Sequence, residues 1–226
     1  MTNRYVIKFT KTGYIKYTSH LDLLRVFKRA FKKTGITLRY SQGFNPHPKM
    51  GFAQPLSLGY SSKYELIEFE TLQPHSTTDI VSKMKNEMPS GIDIISCTTF
   101  DNDAKALAGD VVEAEYKILI PTDKTEQELI DCLKEYLKQP EITALKRMKK
   151  TKKMEPVDIK KKIRNMEISK AGEFALINAA LDSGSYSNCS PELVISSFCA
   201  FSNIETPRYE VEVERTKIIF GNKLQF

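Results

Sequence analysis

A chain of 226 residues, 41% hydrophobic and 27% charged, has the composition of a globular protein and enough length for one large domain or two small ones. No apolar run approaches the roughly 18 residues of a membrane span. The polar opening Met1-Thr2-Asn3-Arg4 leads straight into the strand-like Tyr5-Val6-Ile7-Lys8-Phe9, so a cytoplasmic protein without signal peptide or membrane partner is expected.

In chain order, Tyr5 to Thr10 alternates as a strand, continued or followed by Tyr14-Ile15-Lys16-Tyr17. Ser19 caps a helix from His20 to about Thr34, with Asp22 three residues on in a capping-box position. Leu21, Leu24, Phe27 and Phe31 form its apolar seam, Arg25, Lys28, Arg29, Lys32 and Lys33 its basic side, and Gly35 its stop. Strands are expected at 36–40, from 51 towards 58, and at 64–71, a helix at 79–88 and a strand at 92–100. That order is β-α-β-β-α-β. A polar link spans 101–110.

The plan then recurs: a strand at 112–120, a helix at 125–139, strands at 142–148 and 157–168 flanking a lysine-rich turn, and further strand at 174–181. Pro191 at the first position of a helix reaching Phe198, and a strand at 209–220, complete it. The expected fold class is α+β, two tandem ferredoxin-like units with antiparallel sheets, divided as 1–104 and 105–226. No residue-level repeat accompanies the repeated order of elements.

The net charge of +6 conceals strong segregation. Residues 1–50 hold eleven Lys and Arg against Asp22 alone, and residues 146–164 hold ten against Glu155 and Asp158. Those segments carry +10 and +8, leaving −12 for the rest of the chain. Segregated positive charge is the footprint of a phosphate-rich partner, with a solvated basic face as the plain alternative. Arg25 and Arg29 share a helix face with Lys32, a spacing that can straddle consecutive phosphates. In the second basic segment Lys149, Lys150, Lys152 and Lys153 offer diffuse attraction.

The loop Ser41-Gln42-Gly43-Phe44-Asn45-Pro46-His47-Pro48-Lys49 spends a glycine and two prolines on backbone shape. It presents Gln42, Asn45, His47 and Lys49 as polar heads. His20, at a helix N-terminus, can donate to a phosphate or move a proton, and so can His47. Each has an ordinary reading as well, as a packed first-turn histidine and a solvated turn histidine. Tyr14, Tyr17, Tyr40 and Phe44 interleave with the cations and could stack bases, although core or loop anchoring is the plainer role for Tyr17 and Phe44. Cys97, Cys132, Cys189 and Cys199 are too scattered for a zinc or iron–sulfur set, so no metal and no cofactor is expected. Phosphate-loop, Gly-x-Gly-x-x-Gly and Gly-x-Ser-x-Gly motifs are absent, which removes the nucleotide-hydrolase and serine-hydrolase classes.

The runs Ser19-His20-Leu21-Asp22-Leu23-Leu24-Arg25, Arg29-Ala30, Tyr40 to Lys49, Phe52-Ala53, Pro55-Leu56 and Leu58-Gly59 resemble the radical-SAM-associated (radical-SAM-linked) family, a domain of unknown function. The motif-dense resemblance covers about the first 70 residues; Glu214-Arg215-Thr216 in the closing strand also fits. It implies partnership with a radical SAM enzyme and supplies no catalytic residues. The Cys-x-x-x-Cys-x-x-Cys cluster motif of such enzymes is missing. At fold level, paired ferredoxin-like domains with a histidine and a glycine-bearing loop are also similar to CRISPR repeat-associated endoribonucleases, without their glycine-rich C-terminal signature.

The reading that combines these features is an accessory protein without catalysis of its own, binding RNA (tRNA or rRNA) or presenting substrate to a radical SAM enzyme. Arg25, Arg29, Lys32, Lys49 and the lysines from Lys149 to Lys153 would hold phosphates; Gln42, Asn45 and His47 would make specific contacts. Two alternatives stand beside it. One is a metal-independent ribonuclease or RNA-modifying enzyme using His20 and His47. The other is an adaptor docking an acidic face of a radical SAM subunit.

Overall fold

A computed structural model describes residues 3–101, 104–222 and 226; Met1 and Thr2 of the polar opening, and Asn102 and Asp103 of the expected link, lie outside them. The fold is mixed α+β, with predominantly antiparallel sheet and five α-helices among the described residues. Two compact units divide the chain: Met1–Val111 with Lys217–Phe226, and Val112–Thr216.

The first unit holds β1 (Arg4–Lys11), α1 (His20–Thr34), β2 (Met50–Phe52), β3 (Ser61–Glu70), α2 (Thr77–Glu87), β4 (Ile94–Phe100) and the short α3 (Leu107–Asp110). β1 lies between β3 and β4, antiparallel to both, and β2 pairs with β3. Alternation sorts β1 cleanly. Tyr5, Ile7 and Phe9 face α1 and α2, joining Phe27, Phe31, Phe69, Ile80 and Met84, while Val6 faces Leu66, Leu107, Ile218 and Phe220. The expected link is anchored: Arg4, almost fully buried, donates to Glu68 and to the carbonyls of Asp101, Ala104 and Lys105. Glu68 in turn accepts from the Leu107 N–H at 2.9 Å.

The second unit runs β5 (Val111–Pro121), α4 (Glu126–Lys138), β6 (Thr143–Arg147), β7 (Met154–Asp158), β8 (Ile163–Ala171), β9 (Phe174–Asp182), α5 (Pro191–Ser202) and β10 (Glu212–Phe220), whose last residues belong to the first unit. β9 is antiparallel to both β5 and β8. Thr125 and Glu128 close a full capping box on α4, and Ser190 caps α5 with Pro191 in its first turn. The two helices meet at Tyr136, whose hydroxyl lies 2.7 Å from Ser197 Oγ and whose ring packs edge-on to Phe198.

Several elements differ from the sequence reading. Tyr14 to Tyr17 is a 3₁₀ turn (Gly13–Tyr17) instead of a strand. It leaves the ladder because Gly13 and the loop before Ile92 fold it back: Thr12 N–H donates to the Gly91 carbonyl at 2.8 Å. The 36–40 segment makes only isolated bridges, Leu38 to Thr71 and Tyr40 to Pro48. β2 is three residues long because Ala53 to Tyr60 turns away. The expected 157–168 strand is split by a 3₁₀ turn at Lys160–Lys162, so β6 and β7 form their own two-stranded hairpin. The seam of α1 is rotated: Leu23, Phe27, Ala30 and Phe31 are buried and Leu21 is 64% exposed, since Leu23 completes the four-residue spacing to Phe27.

Gly91 has φ of +92°, and a Cβ there would stand 2.4 Å from the Thr12 carbonyl oxygen. Both backbone strain and collision penalise any side chain at this point. Gly91→Ala is therefore expected to lower unfolding free energy by about 2 kcal/mol, read as a reduced urea midpoint with an unchanged slope.

Candidate nucleic-acid interface

α1 exposes its basic arc because the opposite face is taken up by Phe27 and Phe31. Phe27 packs on Phe9 at 4.8 Å between ring centroids and on Phe52 at 5.8 Å; Phe31 packs on Phe69 at 4.6 Å. Arg25, Lys28, Arg29 and Lys32 then project to solvent. They are not equivalent. Arg25 Nη1 lies 2.6 Å from Asp22 Oδ1, and the Asp22 carboxyl is held below its ordinary pKa by the Ser19 hydroxyl and by Arg25. Lys33 pairs with Glu87 at 3.0 Å. Lys28, Arg29 and Lys32 make no ion pair among the described residues, so they supply the uncompensated charge.

Lys28 and Lys32 line a cleft of about 230 Å³ with Phe31, Ile36, Leu38 and Tyr40. Its floor is apolar and its rim cationic. Tyr40, 43% exposed, forms the far wall and is bridged to Pro48, so the 41–47 loop springs directly from the cleft.

Inside that loop Ser41 does the holding. Its N–H donates to the His47 carbonyl at 2.8 Å, and its Oγ accepts from the His47 N–H at 3.1 Å. Oγ also lies 3.0 Å from His47 Nδ1. The Asn45 carbonyl lies 3.4 Å from the same nitrogen, so Nδ1 is the ring atom engaged by the loop. Gly43 at φ +125° makes the turn, with open space where a Cβ would be. The Gln42 and Asn45 side chains and the whole Phe44 ring face solvent, so the anchoring role expected of Phe44 gives way to full exposure. Tyr17 is likewise 61% exposed.

Lys49 is tied down. Its Nζ donates to both carboxylate oxygens of Glu70, 3.2 and 3.1 Å away, and Arg39 approaches the same carboxylate at 3.5 Å. A second cleft of about 220 Å³, beside Lys49, Phe52, Glu68, Glu70 and Leu107, has carboxylates on its wall and suits an anion poorly.

His20 sits apart from His47. Its ring packs edge-on to Phe52 at 5.2 Å, and burial followed by the charge of Lys11 pushes its pKa below the ordinary 6.5. No hydrogen bond or ring contact joins it to His47 among the described residues.

In the second unit, Lys149, Lys150, Lys152 and Lys153 occupy the exposed turn of the β6–β7 hairpin, closed by Met148 N–H to the Lys153 carbonyl at 2.9 Å. None of the four makes an ion pair among the described residues. The cysteines are free; burial raises Cys97 to about 12 and Cys189 and Cys199 to about 11, the range of packed thiols. No cluster of potential metal ligands occurs among the described residues, nor any helix long and apolar enough to cross a membrane.

Sequence reasoning passed over Lys28 and Tyr40 as cleft walls, Ser41 as the clamp on His47, and Glu70 as the counter-charge to Lys49. Lys28 was legible as part of the basic arc. The Lys49–Glu70 pair is set by a register 21 residues apart, for which no local pattern exists.

Residues 4–191 match the family described as an uncharacterized protein conserved in bacteria (DUF2344), and the chain belongs to that family. No curated protein matches it. A chain in the crystal structure of a Cbf5-Nop10-Gar1 complex is similar at 14% identity and a TM-score of 0.50, over 95% of this chain and 48% of that one. The present chain thus spans about half the length of that neighbour, and the likeness is one of fold. An unknown protein from Galdieria sulphuraria matches at 13% identity and a TM-score of 0.29, over 95% of this chain and 98% of that one.

With its pKa lowered in the folded state, His20 takes up a proton at lower pH than in the unfolded chain. The contribution of the neutral ring to stability is whole above pH ~6.5 and is lost as the pH falls below it. An NMR titration should place His20 below 6.5, and His20→Gln should flatten the fall in stability between pH 7 and 5; a His20 midpoint at or above 6.5 would contradict this assignment.

Proposed function

We propose that this protein binds structured RNA (tRNA or rRNA) through its first unit, as the non-catalytic partner of a radical SAM enzyme in RNA modification or processing. The observation that carries the RNA reading is the cleft of Lys28, Lys32 and Tyr40 with the His47 loop rising from its rim. Its parts divide the work. Uncompensated lysines and Arg29 attract phosphates, Tyr40 offers a π-face, and the clamped His47 presents its imidazole with Gln42 and Asn45 beside it. The exposed lysines of the β6–β7 hairpin add attraction on the second unit. The radical SAM partnership rests on the motif resemblance from Ser19 to Gly59 and is the more distant part of the reading.

We also read each unit as ferredoxin-like. In support, β1 lies between β4 and β3 with β2 outermost, and β5 lies between β10 and β9 with β8 outermost. The β6–β7 hairpin is then an insertion after the first helix of the second unit.

Filter binding against salt tests the RNA proposal. Lys28→Ala/Lys32→Ala is expected to weaken structured RNA roughly tenfold and to reduce the slope of log affinity on log salt by about 1.4 to 1.8. Arg25→Ala, whose guanidinium is matched by Asp22, should cost less than about threefold. An affinity that does not fall steeply with salt would sink the proposal. Co-purification with a radical SAM enzyme, before and after nuclease, separates direct docking from bridging by RNA.

A further inference from the structure

Apart from Phe44 on the loop itself, the cleft leaves two exposed aromatic rings of the same unit unaccounted for. Tyr14 is 93% and Tyr17 61% exposed, both on the 3₁₀ turn Gly13–Tyr17. Exposed tyrosines on mobile loops mean little, but this turn is tied down from three sides. Lys11, buried to 1% exposure, donates to the carbonyls of Lys16 and Thr18 at 3.2 and 3.0 Å. Gly59 N–H donates to the same Lys16 carbonyl at 2.9 Å. Gly91 lies so close beneath Thr12 and Ile15 that no side chain fits. The unit therefore holds the backbone that carries two exposed rings in a fixed turn, while its core is already built from other aromatics.

The surroundings select the occupant. Residues 12–64 contain nine Lys and Arg and a single acid, Asp22, whose charge is matched by Arg25. Lys16 holds its ammonium 5.4 Å from the centroid of the Tyr17 ring. Rings flanked by cations, with almost no carboxylate nearby in the chain, suit unpaired nucleotides: the bases stack and the phosphates meet the cations. A protein face that sought apolar rings would leave those cations unmatched.

We infer that Tyr14 and Tyr17 form a stacking platform for unpaired bases, so that the RNA bound by this protein carries a single-stranded segment next to its structured part. This rests on the RNA reading above and adds which RNA it is. Rings presented at the surface cannot reach bases that stay stacked inside a duplex, so the platform confers preference for unpaired strand.

Fluorescence anisotropy with two labelled RNAs of equal length, a single strand and a perfect duplex, tests the inference. Tyr14→Ala/Tyr17→Ala should weaken the single strand about tenfold or more, leave the duplex within about twofold, and leave the salt slope unchanged. Tyr14→Phe/Tyr17→Phe should retain most of the affinity, which also checks that the turn still folds. Equal losses on both RNAs, or none on either, would overturn the platform while the RNA reading stands. Wild-type protein that binds neither RNA would overturn both.

Discussion

The placement of α1 against the first unit's sheet is the constraint on which the rest depends, and five aromatic rings fix it. Phe9, Phe27 and Phe52 contact one another, and Phe31 meets Phe69 one turn further along. Each buried ring removes a large apolar area from water and prefers tilted or edge-on neighbours, so the set specifies rotation as well as contact. Turning α1 one residue forward would bury Lys28 and Lys32 in place of Phe27 and Phe31, at a cost far above any loss in ring geometry, and one residue back would leave only Val26 and Ala30 to fill the space of two rings. The helix therefore has one rotation, and the outward direction of Lys28, Arg29 and Lys32 follows from it. So does the edge-on contact of His20 with Phe52, which leaves that imidazole half-buried and neutral.

Counter-charges decide which cations remain available. Asp22 is drawn to Arg25 by a short exposed contact, and Glu70 gathers Lys49 and Arg39. Such surface pairs add little stability, but they remove net charge from the places where they sit. What survives is a patch centred on the second half of α1, beside Tyr40. The buried pair Arg4–Glu68 works differently: its remaining donors and acceptors are used on the backbone of 101–107, so it binds chain segments together instead of meeting solvent. Ion pairing thus lowers the net charge presented at Arg25 and Lys49 and leaves that of Lys28 unmatched.

Legibility followed the range of the forces involved. The longer α-helices of both units were readable because capping and four-residue spacing are local: Ser19, Thr125, Ser190 and Pro191 stand where three of them begin, whereas the one-turn α3 fell inside the expected link. The seam of α1 was misplaced at Leu21 because two registers satisfy three- and four-residue spacing up to Phe27, and only the sheet beneath chooses Leu23. The short β2, the bridges at Leu38 and Tyr40, and the split at Lys160–Lys162 depend on partners distant in sequence, which alternation alone does not reveal. In the loop, glycine and prolines announced rigidity, and His47 was visible as its polar head. The Ser41 clamp was not visible, since it needs the turn to be closed before the two residues meet.

The two histidines show how far position alone can define a role. An acid–base pair acting on one phosphate needs both imidazoles within hydrogen-bond reach of it. Here one ring is packed on Phe52, shifted towards neutrality by burial and Lys11, and the other is clamped in its loop by Ser41, with no contact between the two rings among the described residues. The Ser41 hydroxyl and the Asn45 carbonyl both lie within hydrogen-bond distance of Nδ1, so one nitrogen of the His47 ring is used in holding the loop. An imidazole fixed in this way suits recognition of a ligand atom through its other nitrogen. Each histidine is thus engaged by its own surroundings, which is the physical support for putting binding before chemistry in the function proposed.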